Sequence, residues 1–265
     1  MIGLGYRRDM ADWDLSALKA DFFEVVPENW VHRDRSPLHA LLASSRPVHL
    51  HGVSMNLGGS SPISPQFLRE LRGLIDDLSS PLGAPHYSDH LAASGDAHQL
   101  YDLFPIPFTT AEVARVAGRI QQVQDGLGRR MAIENSTWYS NTGHLAEADF
   151  LAAVAERADC QILLDLNNIT VNHKNHGGHG LVDFLQRIDL SRVSYLHVAG
   201  HEFDARFGLH IDTHSEPVEA DTAAMARQLQ ASHGLATLLE WDNDLPGPDR
   251  INQELRCLMP TSTTT

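Results

Sequence analysis

Cysteine is almost absent from this 265-residue chain, with Cys160 and Cys257 as the whole supply. Two thiols cannot build a disulfide framework, a Cys-based structural zinc site or an iron–sulfur cluster, and their scarcity predicts a reducing compartment. Long apolar runs are missing too. No stretch approaches the roughly 18 consecutive apolar residues of a membrane span. The opening MIGLGYRRDM lacks a basic segment leading into an apolar one, so no signal peptide is expected. Positive charge is thin: 20 Lys and Arg face 34 Asp and Glu, giving a formal charge of −14 without any basic block. That balance argues against nucleic acid as a partner. The expectation is a cytoplasmic protein that engages neither membrane nor nucleic acid.

What is plentiful is histidine, 16 residues, together with acids placed at the ends of short apolar runs. Segments FFEVVPE to Glu28, PVHLHG to His51, HYSDH to His90, MAIEN to Glu134, QILLDL to Asp165, VSYLHVAGH to His197 and His201, and ATLLEWD to Glu240 share this form. Apolar runs of this length, bounded by turn signals, read as buried parallel strands. Strands are expected at 2–6, 22–26, 47–52, 86–91, 131–135, 161–166, 193–200 and 236–241. Helices are expected near 15–19, at 36–43, from Ser64-Pro65 to Leu78, at 109–127, 145–158, 180–188, 220–232 and 249–257. The alternation at roughly 30-residue intervals is that of a (β/α)8 TIM barrel, here one domain over residues 1–260 with a disordered tail at 261–265. A doubly wound open sheet has the same alternation, but G-x-G-x-x-G is missing after the first strand, which disfavours its dinucleotide-binding version.

Parallel strands of a barrel bring their C-terminal ends to one mouth, so the terminal acids and imidazoles are expected to meet there. The long connections after strands four, six and seven carry His98, then Asn167, Asn168, Asn172, His173 and His176, then Asp212 and His214. In LLDLNN, period two puts Asp165 and Asn167 on one buried face, with Asn168 opening a loop; buried groups of this kind need partners. The candidate metal set is His51, His90, Glu134, Asp165, Asn168, His197, Asp212, His214 and Glu240. Nine N and O donors exceed what one catalytic ion uses, so two or three ions sharing carboxylates are expected, with Fe, Mn and Zn all compatible. His201 and Glu28 are candidates for orienting the imidazoles. A divalent-metal hydrolase or isomerase of the xylose-isomerase or endonuclease IV type satisfies the same residues, as does a metal-handling protein without catalysis.

The runs HLHGVS, HYSDHL, GDAHQLYDLFPIPFT, IENSTWYS, LLDLNNITVN, YLHVAGH, IDTHSEPV and TLLEWD, in this order, resemble the multinuclear non-heme iron-dependent oxidases over about residues 2–255. The resemblance implies a TIM barrel holding two or three irons on the nine residues named above. It further implies O2 as co-substrate, oxidation of cysteine in a ribosomally synthesised precursor peptide, and a companion protein that recognises that peptide. His98, Tyr101 and Asp102 are then candidates for contact with the substrate.

Overall fold

The computed structural model describes residues 1–95 and 100–260, with backbone only at 100–102. The proposed tail at 261–265, His98 and the side chains of Tyr101 and Asp102 lie outside the described residues. Eight parallel strands close into a barrel: β1 (Ile2–Gly5), β2 (Phe22–Val25), β3 (Val48–Gly52), β4 (Tyr87–His90), β7 (Ala132–Glu134), β8 (Gln161–Asp165), β9 (Val193–Val198) and β12 (Thr237–Leu239). The order around the barrel follows the chain, and β12 pairs with β1 to complete it. Two antiparallel hairpins rise from the mouth, β5 (Ala92–Gly95) with β6 (Leu100–Pro105), and β10 (Glu202–Asp204) with β11 (Leu209–Ile211).

The helices are α1 (Ser36–Ala43), α2 (Pro65–Asp77), α3 (Thr110–Leu127), α4 (Glu147–Ala158), α5 (Leu166–His176), α6 (Leu181–Leu185), α7 (Ala220–His233) and α8 (Pro248–Leu258). Their starts follow the sequence signals. Ser64 accepts a hydrogen bond from the Phe67 amide with Pro65 in the first turn, and Thr109 does the same for the Glu112 amide. The expected helix at 15–19 is only a 3₁₀ turn, Leu15–Ala17, so β1 and β2 are joined without an α-helix. Between β8 and β9 there are two helices instead of one. Among the described residues, no helix is long and apolar enough to cross a membrane.

Period two along each strand divides the core. Leu4, Phe23, Leu50, Ile133, Leu164, Leu196 and Leu239 point outward and pack with the helices in one continuous cluster. Phe22, Ala132, Leu163, Tyr195 and Leu238 point inward and form a separate apolar floor inside the barrel. Two residues further along the same strands stand Glu24, Glu134, Asp165, His197 and, just past β12, Glu240, all buried. The polar centre is therefore the layer directly above a dry floor. Gly3 makes room for that floor, since a Cβ there would lie 2.3 Å from the Phe22 ring. Gly3→Ala should cost about 1–3 kcal/mol, the usual penalty of overpacking a filled core. Denaturant unfolding would show it as a lower midpoint at unchanged slope, and an unaltered midpoint would mean that the floor yields freely.

Candidate metal centre

Strand register sets neighbours on the inner face. His90 lies beside Glu134 across β4 and β7, and Asp165 lies beside His197 across β8 and β9. His51 Nε2 stands 3.1 Å and His90 Nε2 3.2 Å from Glu134 Oε2, and the two nitrogens are 3.3 Å apart. Donors bound at about 2.0–2.1 Å to one ion would show edges of about 3.0–3.4 Å. The hydrogen bonds behind the rings fix which nitrogen faces inward. His90 Nδ1 meets the Gly52 carbonyl at 3.1 Å, so it must carry the proton and leave Nε2 as a lone pair. His51 Nδ1 meets Ser88 Oγ at 2.8 Å on the far side of its ring.

A second group shares Glu134. Glu134, Asp165, His197 and Glu240 each place a donor atom within 4.8 Å of the others. His197 Nδ1 is 3.1 Å from Glu134 Oε1 and 3.1 Å from Glu240 Oε2. Its Nε2 faces Glu24 at 3.1 Å, and Glu24 also accepts a hydrogen bond from the Tyr195 hydroxyl. A third group shares Glu240 and adds His214 and Asp242. There His214 Nδ1 is 3.2 Å from Asp242 Oδ2, and its Nε2 is 2.8 Å from Asp212 Oδ1. Arg7 reaches Glu240 at 3.4 Å and pairs with Asp242.

His214 and Asp212 belong to no barrel strand. The segment that carries them leaves β11 and folds back against the end of β9, where a Cβ on Gly200 would collide with the Glu216 carbonyl at 1.9 Å. His214 itself has φ +49°, in the left-handed region that ordinary residues avoid at some cost. Asp212 accepts from Asn167 Nδ2 at 2.7 Å and from the Thr137 hydroxyl at 3.1 Å.

The electrostatics are those of a centre that needs positive charge. Burial and the charges of Glu134, Asp212 and Glu240 hold the Asp165 carboxyl well above the usual range. Burial disfavours an imidazolium at His197, yet Glu240 and Glu24 outweigh it and push that group well up. At His51 burial is likewise overcome by Glu134, leaving the imidazole at about 9. Asp165 Oδ2 is buried without a hydrogen-bond partner, and Glu134 Oε2 and His214 Nε2, though 3.1 Å from His51 Nε2 and 2.8 Å from Asp212 Oδ1, make no aligned hydrogen bond. Ligand atoms crowded together in a buried cage with their hydrogen bonds incompletely made are what a bound cation would satisfy, so these residues fit metal.

The structure thus gathers all nine residues expected from sequence around one cavity and the buried cage beneath it. Asn168 lines the same cavity: its Oδ1 lies 2.5 Å from the Thr137 hydroxyl that Asp212 also approaches at 3.1 Å, and its Nδ2 donates to the Asn135 carbonyl at 2.9 Å. It does not open a loop, because Asp165 accepts from the Asn168 amide at 2.6 Å and caps α5, which starts at once. Glu28 does not reach the imidazoles either. It lies in a 3₁₀ turn after β2 and accepts from the amides of Val53 and Ser54, anchoring the loop behind His51. Sequence reasoning missed Glu24, Asp242 and Arg7. Period two from Phe22 would have reached Glu24, and the same step from Glu240 reaches Asp242. Above the groups opens a cavity of about 600 Å³, lined among others by Arg7, Leu103, Thr137, Tyr139, Ile211 and Asn243.

A profile of the family described as RiPP precursor modification enzyme MbnB/TglH/ChrH matches residues 1–261. The chain belongs to that family. The resemblance drawn from its motifs is borne out over the whole matched length. As an MbnB/TglH/ChrH member it is 38% identical over 261 residues to a UPF0276 protein of Nitrosospira multiformis, covering 96% of this chain and 90% of that one. It is 41% identical over 251 residues to a UPF0276 protein of Pseudomonas aeruginosa strain UCBPP-PA14, covering 92% and 86%. Among solved structures it is similar to an L-ribulose 3-epimerase, with TM-score 0.61 and 15% identity, covering 96% of this chain and 91% of that one. A D-psicose 3-epimerase from Clostridium cellulolyticum H10 gives TM-score 0.59 and 12% identity, covering 99% and 91%. These likenesses confirm the TIM-barrel fold expected from the sequence and show nothing more.

The raised His51 imidazole sets a pH dependence. In the unfolded chain a histidine gives up its proton near pH 6.5, whereas His51 keeps it to about 9. The stability this contributes is complete below about pH 6.5 and is lost as pH rises through about 9. Thermal unfolding of chelator-treated protein should therefore show a falling midpoint across that window. Divalent metal, which replaces the proton, should flatten the slope and release protons on binding at neutral pH. A midpoint indifferent to both pH and metal would contradict this account of the cage.

Proposed function

We propose that this chain is a multinuclear non-heme iron enzyme that uses O2 to oxidise a residue, most simply cysteine, of a ribosomally synthesised precursor peptide. The observation that carries the reading is the sharing of Glu134 and Glu240. Each belongs to two adjacent donor groups, an arrangement suited to ions side by side instead of one ion alone. The proposed ligands are His51, His90, Glu134, Asp165, His197, Asp212, His214 and Glu240, with Asp242 added and Asn168 kept as a ligand available on the cavity wall. An all-nitrogen-and-oxygen set is compatible with iron. Two or three bound irons would activate O2 and pass to it the electrons removed from the substrate in a multi-electron oxidation.

The chain's own residues do the rest. The apolar floor closes the centre from below, so the reacting side chain enters only through the cavity. A volume of about 600 Å³ accepts a side chain with its flanking backbone, and Arg7 and Tyr139 at its wall offer polar contacts to a peptide. A thiolate at the centre would have to come from the substrate. Cys160 is buried away from it, with its thiol pushed up by burial to about 12, and Cys257 is exposed on α8. A reducing cytoplasm and a companion protein that presents the peptide complete the proposal.

Co-expression with a Cys-containing precursor, in air and with iron, should change the peptide's mass. Purified protein should carry more than one iron per chain and consume O2 with the peptide. His90→Ala, which removes one corner of the His51–His90–Glu134 triangle, should lower iron content and abolish the mass change. A protein that holds only zinc or manganese and ignores O2 would instead support a hydrolase or isomerase.

A further inference from the structure

Asp212 is tied to the protein surface by hydrogen bonds whose direction can be assigned at every link. Lys174 on α5 places Nζ 2.9 Å from His201 Nε2. An ammonium only donates, so His201 Nε2 must accept, and its Nδ1 must carry the ring proton. That nitrogen lies 2.8 Å from Asn167 Oδ1 and donates to it. The amide of Asn167 is thereby oriented with Nδ2 outward, and Nδ2 donates to Asp212 Oδ1 at 2.7 Å. The far end is held by Glu219, ion-paired with Lys174 beside the start of α7. Glu219 Oε1 also stands 3.3 Å from His201 Nε2, but both are acceptors once Lys174 donates to each of them. Burial and the neighbouring Lys174 charge hold the His201 imidazole below its ordinary value, which agrees with a neutral ring.

A second tie runs parallel to the first. Asn175, also on α5, accepts from the His210 amide and donates to the His210 carbonyl, both at 2.8 Å. One helix thus grips β11 by its backbone and, two residues later, Asp212 by its side chain. This explains how a segment outside the barrel keeps a carboxylate aimed at the centre.

We propose that Lys174, His201 and Asn167 act as one directional chain of positioning residues that fixes the carboxylate of Asp212 for metal binding. None of the three needs to touch the ion. The inference rests on the reading of Asp212 as a ligand. Its consequence is that a partly exposed lysine at the outer edge of α5 sets the affinity of one part of the centre.

The test uses the full chain, freed of metal and titrated with Co2+ alone against a competing chelator, with visible absorption reporting the ligand set. Lys174→Met, at the partly exposed end of the chain, should weaken the Co2+ ion that Asp212 helps to hold by about 10–100-fold, the usual effect of removing an orienting partner. The other Co2+ should bind as before, and the thermal midpoint of the metal-free protein should stay unchanged. Lys174→Arg, which still donates, should restore most of the loss, and His201→Phe should reproduce it. Equal weakening of every Co2+ with a matching drop in the metal-free midpoint would reduce the chain to a structural tie and overturn the proposal. Unchanged titrations in Lys174→Met and His201→Phe would overturn it as well. Asp212→Asn separates the two levels: if it too leaves Co2+ binding untouched, the reading of Asp212 as a ligand fails, and the proposal with it.

Discussion

Carboxylates packed against one another in a dry interior are the constraint on which this molecule turns. Glu24, Glu134, Asp165 and Glu240 share the space above the barrel floor, where unpaired charges would cost several kcal/mol. The imidazoles of His51, His197 and His214, together with Arg7, supply the counter-charge, while burial keeps His90 neutral. Protons on those imidazoles hold the carboxylates together, and the unpartnered oxygen of Asp165 marks where protons do not suffice. Everything else serves that layer: the floor excludes water beneath it, the register puts His90 beside Glu134, and Gly52, Ser88 and Glu24 turn each ring to its working side.

The barrel was legible because buried parallel strands are short apolar runs and their last residues were chemically conspicuous. His51, His90, Glu134, Asp165, His197 and Glu240 were found by that rule alone. Glu24 escaped it because FFEVV reads as an unbroken apolar run, and the next acid, Glu28, sits past Pro27 where the strand has already ended. Helix α5 escaped for another reason. LNNITVNHKNH lacks a strong apolar face, and its amides look like loop chemistry. They are instead spent on specific partners, Asn167 on Asp212, Asn172 on the Trp138 amide and Asn175 on His210. The β10–β11 hairpin was equally opaque, since its three-residue strands bury little.

The sugar epimerases that share this fold at 12–15% identity show how little the barrel says about chemistry. In this chain the titratable groups gather in one layer and in the segment from Asp212 to His214 that lies over it. Barrel strands supply most of the donors with the rigidity of a sheet, whereas His214 and Asp212 are supplied by a loop that needs Gly200, a left-handed backbone and the amides of α5 to reach its place.

The floor of Phe22, Leu163, Tyr195 and Leu238 has a bearing on assembly. A vessel with a sealed base fills and empties through one doorway. If the proposed function holds, ions and peptide would share that opening, and a peptide seated first would stand between the ions and the centre. On the proposed reading, the shape of the barrel would favour one order of assembly, metal before the chain that it works on.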